Sequence, residues 1–505
     1  MRYNPPDITL ENFKKPPEKV IFNDAFGFAD VAWKTFVTLN WPANDGKPLE
    51  ESALGQAPSA PRVWEFYRTP EEVFLANGEK PLNISKSFTR TLNLDLMEGQ
   101  GSCSKKEFNL AQENLQKSRH WIKKGIDSDE CPDKIPVSHE EEKLLLNSIP
   151  LVDQQGNYIV IETRLNPNEF QQILDNKWYD ADTLAEYNDN NRFQFESTSS
   201  TDAPIEIKAA WRVFDENSSA EEKARYYTTK RVLAIPAKQY VCTTGNCITG
   251  DPVLEEVEVG LIGFHIAYKI PQQQILTPGS STPGWVWATF EQVDNLKVDN
   301  GPPGLKPTLS NPDCDPNAPN KGNCLPNYPY VEWPFLWRDR VPHAVTKSQD
   351  GEIQQQIPTQ VVRLSEQRNC RDSNLTSTVK ESLKQQNKNW QEAFKKVTPD
   401  SVWQYYQLVG TQWLQNPSIV TQTPLLPRDS LISNIRLQQL QPGALFNVSM
   451  EAYSQTQVNG DSCGGCHVAA ILPSSRDNSQ KVMSDFSFLL KRAKSSSNNL
   501  SKEVK

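Results

Sequence analysis

The stretch VEVGLIGFHIAYKI at residues 257–270, followed by WVWATFEQV at 285–293, decides the reading of the fold. Both runs are dense in Val, Ile, Phe, Tyr and Trp, the residues that suit a pleated, half-buried surface. Working outward, the same extended pattern recurs at Ile205–Phe214 and Tyr226–Ile235, and at Tyr158–Leu165 after the turn Gln155-Gly156-Asn157. Strand follows strand with no intervening helix of crossover length. The reading is therefore an α+β chain with a β-rich antiparallel body and peripheral helices, and not a parallel α/β sheet.

Helical spacing lies outside this block. Phe22, Phe26, Ala29, Trp33, Phe36 and Val37 form one stripe, which stops at Asn40-Trp41-Pro42. A second helix is predicted over residues 108–124. A third follows the stripe Leu375, Val379, Leu383, Trp390 and Phe394 and ends before Pro399. Residues 299–330 hold eight prolines and two cysteines, which marks a long surface loop or linker. The expected organisation is a flexible arm at 1–20, a mixed β-rich body at 21–298, that Pro-rich segment at 299–330, a region at 331–492 packed on the body, and a disordered tail at 493–505.

Composition narrows the function classes. The 505 residues carry 53 basic and 62 acidic side chains, a net charge of -9, with no long basic segment, so a phosphate-tracking nucleic-acid binder is excluded. No apolar run approaches the roughly 18 residues of a transmembrane helix. Thirteen Trp, 14 Tyr and 20 Phe supply ample core material. Of nine cysteines, Cys242 with Cys247, Cys314 with Cys324, and Cys103 with Cys131 lie in polar loops. They are candidate disulfides of an oxidising compartment. Cys370 is left as the candidate unpaired thiol.

Residues 461–467 read DSCGGCH, and Cys463-Gly-Gly-Cys466-His467 matches the attachment signature of a c-type haem. On a helix the thiols at i and i+3 share a face, where each can form a thioether to a vinyl group. His467, at i+4 from the first thiol, lies on that face and can serve as the proximal iron ligand. Gly464 and Gly465 are expected to leave the macrocycle room to approach. The rival readings are a redox dithiol, which wants a preceding βαβ pattern, and a zinc site, which wants a second ligand pair; neither is visible.

With that motif in view, the chain resembles a group of large bacterial cytochrome c family proteins with one C-x-x-C-H near the C-terminus. The similar patches are AWKTFVTLNWPA at 32–43, IEIKAAWRV at 205–213, GLIGFHIAYKI at 260–270, WVWATFEQVDN at 285–295 and DFSFLL at 485–490. The resemblance implies one covalent haem c and a single large fold, and names no reaction.

Only 38 residues follow His467, too few to wrap a haem, so the upstream body is expected to complete the pocket. His265 is the leading candidate for the distal iron ligand. On a regular strand it shares a face with Val257, Val259, Leu261, Gly263 and Ala267, and the small Gly263 and Ala267 leave clearance for a flat macrocycle. Met450 and Met483 are the alternative ligands. His120 and His139 read as surface residues, His343 as a loop residue and Met97 as incidental. Trp285, Trp287, Trp333 and Trp337 read as core. The first function expected is one-electron transfer with a redox partner protein. The alternatives are a haem-dependent oxidoreductase (a peroxidase or small-molecule oxidase) with an open distal site, and a haem-based sensor. Covalent haem and looped cysteines place the protein in the periplasm or an equivalent lumen. Residues 1–20 hold no signal peptide, which is read as a trimmed or mis-assigned start.

Overall fold

The computed structural model describes residues 25–49, 58–83, 151–188, 192–198, 203–235, 253–270, 284–314, 358–363, 377–420, 428–435, 445–454, 462–473 and 482–496, with short breaks and a few brief segments besides. The helix predicted at 108–124, Cys103, Cys131, Cys370, Met97, His120, His139, His343, Trp333 and Trp337 lie outside the described residues.

Eight strands form one sheet: β1 Thr91–Asn93, β2 Val160–Leu165, β3 Ile205–Phe214, β4 Thr228–Ile235, β5 Val253–Ile270, β6 Gly284–Gln292, β7 Tyr406–Leu414 and β8 Leu440–Gln441. Their order is β8-β7-β6-β5-β3-β2. β5 is long enough to take β4 along Val253–Gly260 and β6 along Gly263–Ile270. Every pair is antiparallel except β1 with β4. The fold is α+β with a β-rich antiparallel body.

All nine residues of β6 are buried, because both faces of the sheet are covered. Val286, Ala288 and Phe290 point to the first face, beneath helices α1 (Ala25–Leu39) and α3 (Ser377–Val397). There Trp33 stacks on Trp390 with centroids 5.5 Å apart, and Phe36 stacks on Phe290 at 4.3 Å. Trp285 and Trp287 point to the second face, which carries the motif. Helix α2 (Pro167–Asp175) is an addition to the expected helices, although Asn166-Pro167 announces it. Asn166 caps the helix by accepting from the Glu169 N–H, and proline fills the first position.

One irregularity changes the reading of β5. Ala210 pairs with Gly263 but Trp211 pairs with Leu261, so Ile262 is an extra residue bulged out of register. A bulge reverses which side chains share a face. Val257, Val259 and Leu261 therefore join the first-face core, together with Ile262, Phe264 and Ile266. His265 shares the second face with Gly263 and Ala267 and not with those three, contrary to the regular alternation expected.

Cys314 and Cys324 form a disulfide. Cys242 and Cys247 sit on the hairpin Gln239–Cys242 and Gly245–Ile248, and their side chains lie outside the described set. The Pro-rich segment is packed where it is described: Leu309 is fully buried, and the Thr308 hydroxyl meets Tyr226 at 2.9 Å. Ala493 is buried and the Ala181 N–H donates to the Lys494 carbonyl at 3.1 Å. No described helix is long and apolar enough to cross a membrane.

Candidate haem-attachment site

The strand registers build the floor of the site. Glu206, Ala267, Trp287 and Gln412 form one cross-strand row over β3, β5, β6 and β7. The next row is Lys208, His265, Thr289 and Gly410. Residues directly opposite in antiparallel strands point to the same face, so both rows look toward the motif.

Helix α4 (Cys463–His467) stands on the first row. Ser462 caps it, accepting from the Gly465 N–H at 3.3 Å. The Gly464 N–H donates to Gln412 Oε1 at 2.7 Å, so β7 holds the helix down. A Cβ on Gly464 would lie 2.6 Å from Leu440 Cδ2 and 3.0 Å from Trp287 Cζ3. Gly464 thus faces the sheet. The expectation that it clears a path for the macrocycle is corrected: glycine is required there by the close approach of helix to strands.

Cys463, Cys466 and His467 are each partly exposed. Cys463 Sγ donates to the Leu445 carbonyl at 3.7 Å. Burial pushes its thiol well above the ordinary range, and Glu451 and Cys466 add to the effect. A redox dithiol needs a thiolate of lowered pKa, which these surroundings oppose. Among the described residues no group of three or more His, Cys, Asp or Glu side chains converges as a metal site.

His467 is fixed from behind. Its Nδ1–H donates to the Phe486 carbonyl at 2.6 Å, while Trp287 and Phe488 flank the ring at 5.9 and 5.2 Å. Burial lowers its pKa to about 4, only partly offset by that carbonyl, so the imidazole is neutral at neutral pH. The bond at Nδ1 leaves the Nε2 lone pair as the ligating position, which is how backbone carbonyls orient metal-bound histidines. The two thiols and this neutral imidazole fit a covalently held haem.

The carbonyl is itself held under strain. Asp485 and Phe486 occupy the two central positions of a turn with φ of 51° and 67°. Such turns favour Asn-Gly, and a bulky residue in the left-handed region costs about 1–3 kcal/mol. Lys269 grips the Asp485 carboxylate, which also accepts from the Phe195 N–H at 2.9 Å. Strain at this turn is offset by an ion pair on one side and by His467 on the other. Nothing in DFSFLL announces this turn, since the partners of Asp485 are Phe195 and Lys269, more than 200 positions earlier.

His265 lies in the second row with its Nε2 3.0 and 3.1 Å from the Glu451 carboxylate oxygens. Burial alone would raise the Glu451 carboxyl, but His265, Lys208 and the Asn447 N–H hold it below the usual range. The clearance expected beside His265 is only half present. A Cβ on Gly263 would collide with Ser449 and Asn447, so the loop at 445–451 fills that space. Met450 packs against the first-face core, whereas Met483 is buried in the second-face core with Val468 and Phe486. No family model, curated protein or solved structure matches the chain.

Proposed function

We propose that the chain is a c-type haemoprotein that passes single electrons through one haem held by Cys463 and Cys466. The observation that carries this reading is His467: a neutral imidazole, oriented through Nδ1 by the Phe486 carbonyl, on the same short helix as two attachment thiols. A bound haem would supply a ferric/ferrous couple. The chain's own part is mechanical and electrostatic. Cys463 and Cys466 tether the group, and His467 offers Nε2. Gln412 and Trp287 hold the motif helix on the sheet, and the Phe486 carbonyl raises the basicity of the imidazole. The likeness of the sequence patches to large cytochrome c family proteins agrees with this reading. A one-electron redox partner protein follows from it, as does an extracytoplasmic compartment. The Cys314–Cys324 disulfide supports that compartment.

A second reading, a haem-dependent oxidoreductase or sensor with an open distal position, is favoured by one observation. His265 Nε2 is already engaged by Glu451, which suits a proton-handling pair as well as a ligand.

The test is expression with a full cytochrome maturation system. The unmutated protein is expected to keep its haem stain after denaturing electrophoresis, and a C463S/C466S double variant to lose it. A colourless unmutated protein would sink the reading. Carbon monoxide then separates the two: inertness of the ferrous form supports electron transfer, and rapid binding supports the open site.

A further inference from the structure

Glu169 is fully buried at the start of α2 and has no evident structural duty. A Glu in the third helical position ordinarily reaches back to the N-cap amide. Here the Asn166 N–H is taken by the Ile205 carbonyl at 2.9 Å, so Glu169 is not needed as a cap. Neither of its carboxylate oxygens meets a hydrogen-bond donor among the described residues. Its carboxyl instead lies in hydrogen-bonding contact with that of Glu206, also buried, on β3. Two carboxylates cannot meet in a dry interior without a proton between them.

The groups facing this pair are few. Ser487 bonds Glu206, and Lys269 on β5 and Asp485 in the strained turn lie alongside. Lys269 and Asp485 are ion-paired with each other, so they do not neutralise the pair. Burial raises both glutamates; Glu206 adds to the rise at Glu169, whereas hydrogen bonds from Ser487 and Glu169 partly offset the rise at Glu206. Glu206 is 8 % exposed, whereas Glu169 is fully buried.

Glu206 also shares its cross-strand row with Trp287, which touches the His467 ring. Two strand spacings separate them, about 10 Å. At that distance a unit charge shifts an equilibrium by roughly tenfold at an effective dielectric of 20, an upper bound for the motif because the His467 ring lies beyond Trp287. Ser487 ties the pair to the turn that presents the Phe486 carbonyl to His467.

We propose that Glu169 and Glu206 form a buried proton acceptor coupled to electron uptake at the motif. Glu169 keeps one proton throughout, and Glu206 gains a second when an electron arrives. With a haem bound, one electron from a donor protein would reduce it from ferric to ferrous, and one proton from solvent would end on Glu206 as the neutral acid. No other bond changes. This deepens the haem reading and rests on it.

The test is a redox titration of the haem-loaded protein from pH 5 to pH 9, alongside the denaturing haem stain. The midpoint potential is expected to fall between its acid and alkaline plateaus by up to a tenfold change in the equilibrium, about 59 mV. The potential should be flat in E206Q, and the fall retained in E169Q, which mimics the acid that stays protonated, and in D153N, which removes a buried carboxyl outside this row. A stained protein whose potential is flat would overturn the coupling while leaving the haem reading intact. So would an unchanged fall in E206Q. An unstained protein overturns both. Should the Gln variants fail to fold, the oxidised-minus-reduced infrared difference spectrum of the unmutated protein decides. A protonated-carboxyl carbonyl band gained on reduction supports the pair, and its absence overturns it.

Discussion

Gly464 owes its identity to the sheet beneath it. A β-carbon added there would sit 2.6 Å from Leu440 Cδ2 and 3.0 Å from Trp287 Cζ3, so G464A must push helix α4 off its strands. Overpacking of this kind costs about 1–3 kcal/mol. A urea unfolding midpoint in G464A equal to that of the parent would contradict the packing described. His265 poses the other single-residue question. If it ligates the distal position, H265A of the loaded protein should pass from low spin to high spin. If it serves Glu451 as a proton-handling partner, the spin state should hold. Absorption spectra of the oxidised H265A and parent proteins read the outcome directly. His265 is legible in the sequence because it is a lone imidazole in an apolar strand. Its neighbours are not: the Ile262 bulge leaves no mark in VGLIGFH, since bulge position depends on the register of a partner strand 50 residues away.

At the scale of elements, the two faces of the sheet do different work, and two substitutions should separate them. Trp390 on α3 is fully buried and stacked on Trp33, so W390A should lose about 3–5 kcal/mol of stability. It should leave haem attachment per folded molecule unchanged, because it lies on the first face. Gln412 on β7 accepts the Gly464 N–H, and Q412A orphans that buried donor at about 1–3 kcal/mol. Its effect should fall on the motif, as a lower haem-to-protein ratio at equal folded yield. Equal losses of haem in both variants would argue against this division. The strands and both long helices are readable because their signals are local: β-branched and aromatic runs, helical stripes, and prolines that end them. The loop at 445–451 is not. It has no period of its own and is held through side chains, such as Asn447 to Thr289 at 2.8 Å and the Val448 N–H to Glu291 at 2.8 Å. Helix α2 has a local signal too, since Asn166-Pro167 carries both the cap and the first-position proline, but its nine residues are too few for a long helical stripe.

Across the whole molecule, burial of acids sets the pH dependence of stability, and its sign runs against the common expectation for carboxylates. Asp153 is fully buried and its pKa is raised by burial from 3.8 to about 6, with Arg212 and two backbone N–H donors opposing. Its Oδ1 accepts from the Gln155 and Asn157 amides, while Oδ2 has no partner. For an acid whose folded pKa is raised, the folded state holds the proton more tightly than the unfolded chain. Its contribution is then complete below about pH 4 and is lost as pH climbs to 6. Two pH units correspond to about 3 kcal/mol. Glu169, Glu206 and Asp485 are raised by burial as well and act in the same direction. Glu162 and Glu451 are lowered by their cationic neighbours, so they act oppositely and lose their contribution only as pH falls below about 4.5. Stability should therefore peak near pH 5 and decline toward pH 8. D153N keeps the two amide bonds and removes the charge, so it should flatten the part of the decline between pH 4 and 6. Urea denaturation at several pH values measures this. A parent protein whose stability rises steadily from pH 5 to 8 would mean that these buried acids are ionised and compensated after all.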